Sequence, residues 1–232
     1  MNAPARPRST RDRPAKAPLS EKAIVDAALA ITQAEGLEAV TMRRVAAKLD
    51  TGAASLYVYF ANRDELLRAM MDSVSGTVPL VTPEPQRWRE QVHDLTRRIR
   101  EALEAHPGLA VALSGEPPLT ENSLAGVENL LGILFAGGIA AQDAAWACDI
   151  LMLIVTATAA ETDVRRAAGR TSDADRDDAI ARIRDAFTAL PAERFPLITA
   201  HSSELVAGAA DDRFRFAVDT FLDGLVARTG QG

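Results

Sequence analysis

The 232-residue sequence predicts an all-α fold, with a small N-terminal helical head and a larger C-terminal helical body. Three observations lead there. Aromatic residues make up 5% of the chain and charged residues 25%, with alanine abundant, a balance that favours helix over sheet. Apolar residues recur at helical spacing in one segment after another. Those segments open on Ser, Thr or Asn and stop at Gly or Pro. The length suffices to bury a sizeable core.

Taken in order, residues 1–18 hold four prolines and the cations Arg6, Arg8, Arg11, Arg13 and Lys16 against Asp12 alone. Such a segment cannot bury apolar surface and is expected to be disordered when free. It serves either as a solubilising tail or as a basic arm lying on DNA. Ser20 caps a helix that runs to Glu35 and stops at Gly36, with Ile24, Ala27, Ala28 and Ile31 on its inner face. Thr41 caps the next, whose face is Met42, Val45, Ala46 and Leu49, with Val40 and Val45 as a hydrophobic staple. Asp50-Thr51-Gly52 breaks it, Gly52 being assigned the unusual backbone angles. Ala53–Phe60 is expected to be a second short helix, and Asn62, paired with Glu65, caps a fourth that runs to Ser75. Helix, short turn, helix is helix-turn-helix spacing. The domain reading is therefore an arm over 1–18, a head with its connector helix over 19–75, and a body over 76–232.

A linker with Pro79, Pro83 and Pro85 leads into the body. Arg87–Ala105 presents Trp88, Val92, Leu95, Ile99 and Leu103 on one face and ends at His106-Pro107-Gly108. Leu109–Leu113 and Thr120–Ala136 follow. Ala141–Ala168 is the longest helix, apolar all round at its centre, which predicts a buried axis. Ser172 caps Asp173–Leu190, 191–208 reads as irregular, and Asp211–Arg228 closes the chain with a stripe of Phe214, Ala217, Val218, Phe221, Leu222 and Leu225.

Charge separates the two parts. The net charge of −6 divides into eleven Lys/Arg against eight Asp/Glu over residues 1–70, and fifteen against twenty-four over the rest. A basic head on an acidic body suits contact with nucleic acid through the head. The single Cys148 excludes an intrachain disulfide and fits a reducing cytoplasm. The start of the chain lacks the apolar core of a signal peptide. The apolar run Ile150–Val155, continued to Ala160, reads as too short to span a bilayer, so no membrane partner is expected.

Within the head, the second helix of the pair is the one that enters a major groove. It offers Ser55, Tyr57 and Tyr59 among the small Ala53 and Ala54, with Thr51 in the turn before it. Thr41, Tyr57 and Tyr59 are expected to hold phosphates, and Arg43 to read a base edge. Arg44 and Arg63 supply further guanidinium forks.

The stretch LSEKAIVDAALAITQAEGLEAVTMRRVAAKLDTGAASLYVYFANRDELL resembles the DNA-binding domain of the tetracycline-repressor-like (TetR) family of bacterial transcription regulators. RFRFAVDTFLDGL is similar to the last helix of members nearest the tetracycline repressor itself. The resemblance implies a cytoplasmic, nucleoid-associated homodimer. It would bind a double-stranded operator through its heads, use no cofactor, and release the operator when an unknown small-molecule effector occupies the body. It also implies a pocket, for which Trp88, His93, Phe135, Trp146, Asp149, Met152, Thr156 and Glu161 are the candidates, most of them equally readable as core. It implies a dimer interface on the last helix and the long one, with Phe214, Val218, Phe221, Leu222 and Leu225 as its apolar seam. Where tetracycline-binding members carry a histidine that helps to hold drug-bound Mg²⁺, this chain has Ala112 in VALSG, which argues against that ligand. Cys148, His93, His106 and His201 form no catalytic or metal motif. The rival readings are an activator or ligand-independent regulator, and a helical enzyme with a vestigial head.

Overall fold

The computed structural model describes residues 18–112, 117–169 and 172–229. The basic arm, save its last residue Pro18, lies outside them, as does the end of the VALSG stretch. Every regular element among the described residues is a helix.

Four helices build the head: α1 (Glu21–Glu35), α2 (Met42–Lys48), α3 (Ala53–Leu56) and α4 (Arg63–Ser75). The caps are local chemistry. The Ser20 hydroxyl accepts from the Ala23 N–H at 3.2 Å, that of Thr41 from the Arg44 N–H at 3.2 Å, and the Asn62 side chain from the Glu65 N–H at 2.9 Å. Each satisfies a donor that the first helical turn leaves without a partner. Glu65 accepts in return from Ala61, one residue before the cap, at 2.6 Å. Ile24, Ala28, Val40, Val45, Leu56, Leu66 and Met70 close the core between these helices.

Two details of the turn differ from the sequence reading. Gly52 is extended (φ −81°, ψ 146°), a conformation open to any residue, whereas Asp50 takes the left-handed one (φ 51°). Aspartate tolerates that region better than most residues because its short polar side chain can bond locally. Helix α3 also stops at Leu56, not Phe60. Tyr57 keeps helical angles, but Tyr59 and Phe60 both direct their N–H groups to the Leu56 carbonyl, and the chain turns away.

The body comprises α5 (Trp88–Glu104), α6 (Leu109–Ala112), α7 (Glu121–Ala136), α8 (Ala141–Ala167), α9 (Asp173–Thr188), α10 (Pro196–Ala200), α11 (Ser202–Val206) and α12 (Ala210–Thr229). The segment expected to be irregular thus carries two short helices, the first with Pro196 at its start, where proline lacks only a hydrogen bond that no partner awaits. They pack on α9, whose N-cap Ser172 and Asp175 form a capping box. Helix α5 lies along α8, with α6, α7 and α12 around the pair.

Helix α8 is not a buried axis. Ala144, Ala147, Cys148, Leu151, Val155 and Ala159 face the core, while Trp146, Ile150, Leu153 and Val164 emerge on the opposite side. At 27 residues the helix is also long and apolar enough to cross a bilayer by length and composition, because flanking alanines extend the run that had read as too short. Its inner face packs on α5, α6, α7 and α12 of its own chain.

Helix α12 is fixed by charge on one side and by hydrocarbon on the other. Arg89 pairs with Asp223 at 2.8 Å, His93 with Asp219 at 2.7 Å, and Arg100 with Asp211 at 2.7 Å, an antiparallel ladder to α5. Phe214 lies beneath the buried Arg100 guanidinium, 4.7 Å from it. This packing turns Phe214, Val218, Leu222 and Leu225 inward, and all four are buried within the chain, with Phe221 half-buried.

Head and body are joined by hydrogen bonds at two places, and α4 also packs against α5. The Asp72 carboxylate of α4 accepts from the Asn122 backbone N–H at 2.8 Å and from its side-chain amide at 2.9 Å, and so caps α7 from another helix. Ser75 and Ser123 bond beside it at 3.1 Å. At the other place, the loop between α5 and α6 reaches the end of α1. The Leu37 N–H bonds the Pro107 carbonyl at 3.0 Å, and the Gln33 amide donates to His106 Nε2 at 3.1 Å while Nδ1–H donates to the Ala102 carbonyl.

Candidate functional site

The outer surface of the helix-turn-helix is small, mixed and largely unpartnered. Thr41, at the cap of α2, is exposed, and its hydroxyl oxygen caps the helix while its proton meets no acceptor among the described residues. Arg43 projects into solvent, and no ion pair with a described residue restrains it. On the far side of the turn Ala54 and Tyr57 are exposed, while Thr51, Ala53 and Ser55 are half-buried behind them. A hydroxyl, a free guanidinium and a phenol around a helix of small residues let the backbone approach a duplex closely.

Three residues expected to touch DNA are instead engaged by the chain. Tyr59 donates its hydroxyl to the Leu19 carbonyl at 2.8 Å and pins the start of α1. Arg63 spends its guanidinium on the carbonyls of Val40 and Leu37, at 3.0 and 3.2 Å, which ties α4 to the turn before α2. Arg44 pairs with Glu35 at the end of α1. That pair is half-exposed, so a phosphate can compete for it. The sequence reading passed over two exposed residues, Lys48 in the last turn of α2 and Val58 beside the two tyrosines. The spacing of Val58 from Ala54, four residues, was the available signal.

The comparisons with known proteins bear directly on this geometry. Residues 24–70 match the model described as bacterial regulatory proteins, tetR family, and residues 82–229 match the tetracyclin repressor-like C-terminal domain. The second match alone spans more than half of the chain. The chain belongs to the TetR family. Among its relatives, the HTH-type transcriptional repressor DrrR1 of Streptomyces coeruleorubidus is 31% identical over 231 residues, covering 96% of this chain and 84% of the relative. Apo ActR from Streptomyces coelicolor superposes with a TM-score of 0.83 at 36% identity, covering 94% of this chain and 99% of ActR. ActR in complex with actinorhodin gives the same score and identity over 92% of this chain and 100% of ActR. This TetR-family chain is a DNA-binding transcriptional regulator, and its head is the helix-turn-helix just described.

The residues assigned to a pocket sit in different local settings. Trp88 packs against Gly137 at the end of α7, where an added Cβ would stand 2.4 Å from the indole. His93 is held by Asp219. Trp146 and Phe135 are 56% and 50% exposed. Asp149 lies in solvent, and Glu161, also exposed, pairs with Arg165 at 2.9 Å and with Arg213 at 3.3 Å. The acids on α8 therefore have either water or partners, and need no ligand. Met152 and Thr156 remain together, half-buried on one flank of that helix. An open groove of about 670 Å³ lies elsewhere, between the linker and α5, lined by Val81, Thr82, Arg87, Glu90, Asp94 and Arg98. Among the described residues no cluster of His, Cys, Asp or Glu could hold a metal. Burial pushes the Cys148 thiol up to about 11, so it stays protonated and acts as core filler.

Proposed function

We propose that the chain is a homodimeric repressor that occupies a two-fold operator through paired heads and leaves it when a small organic molecule binds the body. The observation that carries the DNA half of this reading is the exposed Arg43 guanidinium, which has no ion-pair partner among the described residues, beside the small residues of α3. The repressor sense follows the relative DrrR1, and ligand response follows ActR, which binds actinorhodin. Actinorhodin is accordingly the first compound to titrate. Function on an operator places the protein in the cytoplasm, at the nucleoid. Residues 19–75 form the DNA-binding unit and 76–232 the sensing and dimerising one, with the basic arm before them.

The dimer seam is assigned to the outward faces of α8 and α12, through Trp146, Ile150, Leu153 and Phe216, in place of the inward stripe of α12. These side chains expose more hydrocarbon than a solvated helix needs, and they lie opposite the residues that close the core.

Arg43→Ala tests the DNA contact. Operator recovered from a random DNA pool is titrated at one fixed salt concentration. The variant is expected to lose about 1–3 kcal/mol and to relax its preference at one base pair of each half-site. Unchanged affinity and preference would remove Arg43 from the base-reading role.

A further inference from the structure

Val58 is 82% exposed, an extreme value for a β-branched hydrocarbon in a well-packed head. It lies in the winding turn that follows α3, four residues after Ala54, which is exposed as well. Leu56 and Phe60, offset from this pair by two residues, are buried. The turn after α3 folds Leu56 and Phe60 into the core and leaves Ala54 and Val58 both on the outer side of the recognition segment. Tyr57 emerges next to them, and Arg43 and Lys48 are exposed on the preceding helix. The apolar patch thus lies inside the surface already assigned to DNA.

We propose that Val58, supported by Ala54, is a specificity-determining residue that reads a thymine methyl in each operator half-site. Valine has neither donor nor acceptor, so it cannot hold a phosphate or pair with a base nitrogen or oxygen. Along the edges of the bases in the major groove, the one hydrocarbon group is the C5 methyl of thymine. An outward valine brought to the floor of that groove has this group as its matching partner. The proposal rests on α3 being the helix that enters the groove, and it adds the chemical class of base that the helix selects. It also accounts for how a recognition helix with so few long polar side chains discriminates at all. Arg43 supplies one hydrogen-bonded position and Val58 one apolar position.

The test removes the two methyl-bearing partners in turn. Operator selected by the wild-type protein is resynthesised with deoxyuridine in place of each thymine, one symmetric pair at a time, which deletes the methyl and preserves every hydrogen-bonding group. At one thymine pair the wild-type protein is expected to lose roughly fourfold per half-site, about fifteenfold over both, the scale of one apolar carbon returned to water. Val58→Ala should show a similar loss on the thymine operator and no further loss on that deoxyuridine operator. Since Val58 is solvent-exposed, the variant keeps its fold, and a melting curve superposable on wild type verifies this. Three results would each overturn the proposal: indifference of the wild type to deoxyuridine at every thymine, a full deoxyuridine penalty retained by Val58→Ala, or a penalty abolished by Ala54→Gly and not by Val58→Ala. Arg43→Ala, run alongside, separates the two levels. If it weakens binding while deoxyuridine has no effect, the head still docks on DNA through this face and only the methyl reading fails. If neither change matters, the groove assignment fails with it.

Discussion

Leu153→Asp is expected to give a folded monomer whose operator affinity has dropped by about 10²- to 10⁴-fold. The size of the loss comes from avidity. When two heads are joined, the second half-site is bound at the effective concentration set by the first, and a monomer forfeits that gain. The substitution reaches it because a carboxylate placed in an apolar seam must be buried without a partner or left hydrated, and only separated subunits allow the second. Leu153 is 59% exposed in the protomer, so the fold itself is spared. Leu222, fully buried on the inner face of α12, provides the contrast, since Leu222→Asp should unfold the body before it touches association. Sedimentation and an operator titration check both. A Leu153→Asp protein that stays dimeric with full affinity would move the seam off α8.

Gly108→Val is expected to destabilise the protein by about 2–4 kcal/mol, enough to lower the melting temperature by roughly 5–15 °C in a chain of this size. Two costs combine. Gly108 has φ +91°, a region that a β-branched side chain enters only under strain. A Cβ there would also stand 2.9 Å from the Leu37 Cβ, so the end of α1 would have to move. Calorimetry measures the sum. Gly52→Ala serves as a comparison: its backbone is extended and a Cβ would meet nothing within 4 Å, so little change is expected.

Those two glycines mark what could be read in the sequence and what could not. Ser20, Thr41, Asn62 and Ser172 were legible as caps because a cap is settled by residues three apart in the chain. The left-handed residue of the first turn was misplaced because Asp50 and Gly52 both suit it, and only the closing hydrogen bonds choose. The length of α3 was overread for a similar reason: Tyr57 is helical, and the departure begins only at the next residues. For the body, periodicity says that a stripe exists but not what covers it. The stripe on α12 turned inward because the acids at 211, 219 and 223 are drawn to Arg100, His93 and Arg89 of α5, more than a hundred residues earlier. Trp146 and Glu161 are pocket candidates through the family resemblance, and periodicity on α8 does not say which of its faces is covered. Their exposure depends on which neighbours α8 has. In the head, Tyr59 and Arg63 looked like DNA contacts because their chemistry suits phosphate; the carbonyls of Leu19, Leu37 and Val40 claim them first.

The double attachment of the head to the body has a kinematic meaning. A rigid piece fastened at a single point can pitch, roll and yaw; fastened at two, it keeps one degree of freedom, a swing about the line through both. Here that line runs from the Leu37–Pro107 contact to the Asp72–Asn122 contact. Any displacement of the head that leaves both intact and lets α4 slide on α5 is a rotation about this axle. Because α3 lies off it, a few degrees of swing at the axle become a translation of the recognition helix along an arc of fixed direction. In a two-fold dimer a half-turn about the symmetry axis relates the paired arcs, so the distance between the two recognition helices changes while their mutual orientation is still governed by one angle. A DNA duplex with half-sites one turn apart then acts as a gauge that passes a single setting of that angle.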